Sequence, residues 1–158
     1  MNRLVIGIGN ELRGDDAAGL LAARAVRAAA PAAFRIRESR GDPGDLMALW
    51  RDMQNVYMID CCVSGSVPGT IRRFDSALGP LPARFDAVSS HGFGLAAALE
   101  LARALRRLPP RLIVFGIEGD CFEIGAPPSP AIAEAASRVA ERIMRQGRCP
   151  DAPLSSGL

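Results

Sequence analysis

The side chains whose types and places suit them to act together are two carboxylates and one imidazole: Asp16, Asp60 and His91. Asp16 follows the first apolar run and Asp60 closes a later one. His91, the single histidine, stands ahead of a helical stretch that leads into the most apolar run of the chain. In an open α/β sheet, ligands gather beyond the carboxyl ends of the strands, near a switch in strand order, so residues placed in this way are candidates for one site. Two acids and a neutral imidazole leave coordination positions open. Catalytic and transiently filled metal sites do the same, and the donor set suits a borderline divalent ion such as nickel or zinc. Each residue also has a plainer reading: Asp16, with Asp15, as a helix cap, Asp60 as an Asx turn, and His91 as a hydrogen-bonded loop residue.

The loop ahead of Asp16 runs Gly7-Ile8-Gly9-Asn10-Glu11-Leu12-Arg13-Gly14-Asp15-Asp16. It lies where dinucleotide-binding proteins carry GxGxxG, but Leu12 takes the place of the third glycine. As a P-loop it has the glycine spacing, with Asp15 and Asp16 standing where a lysine and a hydroxyl are needed. Two carboxylates at a helix start repel phosphate, so the loop points to a cation or to backbone amides.

Composition narrows the chemistry further. All 19 basic residues are arginine, which removes Schiff-base catalysis and the phosphate-binding lysine. The net charge of +2 is spread along the chain, so neither nucleic acid nor a membrane surface is an expected partner. With 158 residues, 49% of them hydrophobic, the chain is expected to form one domain over 1–146, followed by a loose Gly-, Pro- and Ser-containing tail over 147–158. The opening apolar run is too short for a signal peptide, and a cytoplasmic location is expected. Cys61, Cys62, Cys121 and Cys149 lack CxxC spacing, so free thiols are expected in that compartment.

The elements that must hold these residues follow from periodicity. Strands are expected at 3–8, 34–38, 56–59, 69–74 and 112–117, the fourth at an edge because Arg72 and Arg73 interrupt it. Helices are expected at 17–29, from the Gly41-Asp42-Pro43-Gly44 turn to about 53, at 93–107, and onward from Ser129-Pro130. Leu95, Leu99, Ala102 and Leu105 share one face of the third helix, and Ile132, Ala136, Val139 and Ile143 one face of the last. The alternation predicts a three-layer αβα sandwich, with a mostly parallel twisted sheet of about five strands and one antiparallel edge strand. Asp42, flanked by Gly41 and Gly44 at the end of a neighbouring strand, is a candidate for contact with substrate; its plainer role is a turn before Pro43.

The opening Leu4-Val5-Ile6-Gly7-Ile8-Gly9-Asn10-Glu11-Leu12-Arg13-Gly14-Asp15-Asp16-Ala17-Ala18-Gly19 resembles the N-terminal signature of the nickel–iron hydrogenase maturation endopeptidases. Ile59-Asp60, with Gly65 and Pro68-Gly69-Thr70, resembles that family's second acidic block, and Ser90-His91-Gly92-Phe93-Gly94-Leu95 its histidine block. Gly116-Ile117-Glu118 and Ser129-Pro130 continue the likeness, which spans residues 3 to 145. The resemblance implies a protease that removes the C-terminal extension of a hydrogenase large-subunit precursor after nickel has entered it. It implies that Asp16, Asp60 and His91 are the metal-recognising and catalytic set, with nickel brought by the substrate; the enzyme is expected to be monomeric. Ser39-Arg40-Gly41-Asp42 departs from the acid and two glycines of many relatives, which leans toward enzymes serving soluble, cofactor-reducing hydrogenases. Two other readings stay open beside it: a cysteine hydrolase using Cys61 or Cys62 with His91, and a nickel-sensing chaperone that holds the precursor without cutting it.

Overall fold

The computed structural model describes residues 2–82 and 94–148. Five strands, β1 (Arg3–Ile8), β2 (Arg35–Ser39), β3 (Asn55–Cys62), β4 (Ile71–Asp75) and β5 (Arg111–Glu118), form one sheet in the order β2-β1-β3-β5-β4. All pairs are parallel except β4 with β5. The expected sheet, with its antiparallel edge, is therefore the one observed.

Successive strand residues face opposite sides, and each side is sealed by two helices. Val5, Tyr57, Ile59, Phe115 and Ile117 pack beneath α1 (Ala18–Ala29) and α4 (Pro130–Arg148). Leu4, Ile6, Met58 and Val114 pack beneath α2 (Pro43–Leu49) and α3 (Leu95–Ala104). The predicted stripe of Ile132, Ala136, Val139 and Ile143 on α4 is buried throughout.

Element ends differ from expectation where tertiary contacts outweigh local pattern. β3 runs past Ile59 through Asp60 to Cys62, because β5 continues to Glu118 and pairs with it residue for residue. Asp60 thus sits inside the strand, not beyond it. α2 stops at Leu49 instead of about 53: Trp50 turns into the core, its Nε1 donating to the Arg107 carbonyl at 2.7 Å, and Asp52 takes a left-handed φ of 65°. α3 ends at Ala104, so Leu105 leaves the apolar face and is exposed. α4 continues to Arg148, taking in the first two residues of the expected tail.

The chain steps from β1 outward to β2 and then back across to β3, which puts the switch in strand order between β1 and β3. Gly7 and Gly19 let α1 lie close to this seam. A Cβ on Gly19 would stand 2.2 Å from the Ile59 carbonyl oxygen and 2.3 Å from that of Ile8, closer than any side chain tolerates.

Candidate active site

Asp16 lies in a short 3-10 turn, Gly14–Ala17, between β1 and α1. Gly9, at φ 152°, supports this turn from below: a Cβ there would fall 1.9 Å from the Asp16 carbonyl oxygen. The glycines of the first loop therefore serve close backbone contact with the acid-bearing turn, in place of a phosphate cradle. Asp16 is 7% exposed, and its charge acts on Asp60 across the seam between β1 and β3.

The Asp60 carboxyl is strongly perturbed. Burial, reinforced by repulsion from Asp16, pushes its carboxyl up to about 8, and the Cys61 N–H that its Oδ1 accepts at 2.8 Å offsets only part of this. Near neutrality Asp60 thus holds a proton in the absence of a cation.

Two further buried acids border the site. Asp15, fully buried, accepts backbone N–H bonds from Asp120, Cys121 and Ser129 at 2.9, 3.0 and 2.8 Å. Burial alone would raise its carboxyl, but the three donors prevail and hold it below the ordinary carboxylate range. The expectation that Asp15 caps the first helix gives way here: both aspartates lie inside the 3-10 turn, and no side chain caps α1. Of the two readings offered for the loop, a cation or backbone amides, Asp15 takes the amides. Glu118, 1% exposed at the end of β5, accepts from the backbone N–H groups of Ser64, Gly65 and Ser66 and from the Ser64 hydroxyl. Here too these bonds outweigh the desolvation and lower the carboxyl.

Neither Asp15 nor Glu118 was singled out as a site residue from sequence. Glu118 was open to the same rule that selected Asp60, since it ends an apolar strand at the carboxyl edge of the sheet. Nothing local marks Asp15, because its donors come from the loop between β5 and α4.

His91 lies outside the described residues. The structure brings Asp16 and Asp60 together, and among the described residues no group of three His, Cys, Asp or Glu side chains is placed to hold an ion. Asp42 caps α2, its Oδ1 accepting from Asp45 N at 3.1 Å, so the turn expected before Pro43 is present. It also lines a groove of about 640 Å³ with Gly9, Asn10, Leu12 and Arg40, beside the loop that leads to Asp16.

Cys61 faces the layer under α1 and α4, opposite to Asp60, as strand alternation requires. Burial raises both neighbouring thiols, that of Cys62 up to about 12, and adjacent acids raise them further. Cys61, Cys62 and Cys121 are free.

A family model described as hydrogenase maturation protease (HycI) matches residues 41–146. The chain belongs to the hydrogenase maturation protease family. A hydrogenase maturation protease is a peptidase, and solved structures agree with the assignment. The Escherichia coli maturating endopeptidase HybD is 25% identical, with 94% of this chain and 93% of that one covered at a TM-score of 0.75. The maturation protease HycI from Thermococcus kodakarensis is 26% identical, with 94% of each chain covered at 0.67. HybD from Thermococcus kodakarensis, at 24% identity and 0.70 over 93% of this chain and 99% of that one, shares the fold. No curated protein sequence matches at a significant level. Among the described residues of this maturation protease, no helix is long and apolar enough to cross a membrane.

Proposed function

We propose that this protease removes the C-terminal extension of a nickel–iron hydrogenase large-subunit precursor once nickel is in place, and that Asp16, Asp60 and His91 recognise that nickel. It acts in the cytoplasm as a monomer, and the ion arrives with the substrate instead of residing in the enzyme. Asp42, beside the groove, contacts the substrate. The observation that carries this reading is the Asp16–Asp60 pair. At the switch point, desolvation of the Asp60 carboxyl, reinforced by repulsion from Asp16, keeps Asp60 protonated near neutral pH, an arrangement in which a divalent cation would replace the proton and turn the repulsion into attraction. Raised thiols weigh against a cysteine hydrolase, since the thiolate is the nucleophile.

The test is to incubate the chain with nickel-loaded and nickel-free precursor and weigh the products by mass spectrometry. A C-terminal fragment should appear with the loaded precursor alone. Cutting of both forms would remove nickel recognition from the reading, and capture of the loaded precursor without cutting would turn it into the chaperone.

A further inference from the structure

Beyond the paired aspartates, the residues at the carboxyl end of the sheet converge on one arginine. Glu118 Oε2 accepts from the Ser64 hydroxyl at 2.8 Å, Ser64 and Ser66 share a hydroxyl bond at 3.1 Å, and Ser66 Oγ accepts from Arg72 Nη2 at 2.5 Å. The loop holding both serines is itself tied to the Glu118 carboxylate through backbone N–H groups at 2.6 to 3.2 Å. A buried carboxylate thus fixes the guanidinium through two hydroxyls, without touching it. Arg72 makes no ion pair among the described residues. Its Nε is shut off from solvent and has no hydrogen-bond partner among them. A guanidinium without a counter-ion calls for an anionic acceptor that the described residues do not supply.

Arg72 also stands in the row of Asp60. Both are in register with Gly116, which lies between them on β5 and adds no side chain. Two strand spacings separate the backbones, roughly 10 Å, a span that a short peptide segment bridges. Phe74, two residues after Arg72, and Met58, two before Asp60, both pack under α2 and α3, so Arg72 and Asp60 face the same side of the sheet.

We infer that Arg72 is a specificity-determining residue that binds a carboxylate of the precursor, on the side of Asp60 away from Asp16. The inference rests on the function proposed above. A carboxylate, in preference to a peptide carbonyl, answers the unpaired charge of the guanidinium, whose donors bind it most strongly. Its source is an acidic side chain near the scissile bond or the terminus of the extension.

Steady-state cleavage of nickel-loaded precursor by wild type, Arg72→Met and Ser66→Ala tests this. Arg72→Met should raise KM about tenfold or more, the effect of one charge-assisted hydrogen bond, with kcat within about twofold. Ser66→Ala, which frees the guanidinium but keeps its charge, should raise KM less. Precursors with single Asp→Asn or Glu→Gln changes, and one with the C-terminus extended by a few residues, separate the two sources: the correct one raises KM for wild type and leaves Arg72→Met unaffected. If wild type cuts and both variants keep its KM, the role of Arg72 falls alone. If wild type does not cut the loaded precursor, the proposed function falls and takes this inference with it. Should Arg72→Met fail to fold, an unchanged KM in Ser66→Ala overturns the inference, and a raised one supports it.

Discussion

Replacing Asp60 by Asn should stabilise the metal-free fold by an amount that grows with pH. Unfolded, the carboxyl ionises near 3.8; in the native chain, burial and Asp16 hold it up to about 8. Below both values neither state is charged, and Asp60 costs nothing. As pH rises between them, the unfolded state releases a proton that the native state keeps, so stability falls by about 1.4 kcal/mol per pH unit until the native carboxyl also ionises. The cost is on the order of 2 kcal/mol near pH 5 and of 5 kcal/mol near pH 8. Asn is neutral throughout and retains an oxygen for the Cys61 N–H, and all other titrations cancel between the two proteins. Thermal unfolding followed by circular dichroism, in a chelator, should therefore show a melting-point gap in favour of Asn that widens by roughly 6 to 12 °C over that range, at about 2 to 4 °C per kcal/mol. Nickel-dependent cleavage should be lost in the same variant. A gap that stays constant or closes as pH rises would mean that Asp60 ionises without strain, and the case for a site awaiting a cation would lose its footing.

Asp15→Ala leaves three backbone N–H groups without their acceptor and should lower stability by on the order of 3 kcal/mol in denaturant titration; a change under about 0.5 kcal/mol would show that Asp15 does not pin the β5–α4 loop. Gly19→Ala drives a methyl into two carbonyl oxygens at the β1–β3 seam, and soluble expression should drop sharply. His91→Ala should retain the wild-type melting point but lose the preference for nickel-loaded precursor; cleavage at an unchanged rate would remove His91 from metal recognition.

The layers of this fold were legible because they depend on periodicity: apolar runs gave all five strands, and the i, i+3, i+4 stripe on α4 gave its buried face. Asp16 and Asp60 were legible because acids that follow buried strands stand out. Glu118 obeys the same rule, yet its role depends on Ser64 and Ser66, more than 50 residues earlier. Asp15 could not be read as more than a cap, since its donors lie 105 to 114 residues further along the chain. The first-loop glycines suggested a failed nucleotide motif, when their spacing answers to the Asp16 carbonyl and the α1 backbone. Arg72 reads in sequence as a charge that blunts an edge strand, and only the register that sets it beside Gly116 gives it another meaning.

The division of labour among Asp15, Glu118 and Asp60 leads to a last measurable consequence. Asp15 and Glu118 are each satisfied by three or more donors and stay ionised, so their charges belong to the scaffold. Asp60, with one N–H donor among the described residues and a like charge nearby, takes a proton as its substitute for a cation. A carboxyl group must be ionised to ligate a metal, so on the proposed reading nickel can engage Asp60 only by displacing that proton. Free nickel therefore binds weakly near neutral pH, and the site favours an ion already held by other ligands in the precursor. Calorimetry of nickel binding in buffers of different ionisation enthalpy should report close to one proton released at about pH 7, falling toward zero above pH 9, where the native carboxyl has already ionised. Binding at about pH 7 with no proton release would mean either that Asp60 is charged in the resting chain or that it does not touch the ion, and the gating role of the pair would be refuted in both cases.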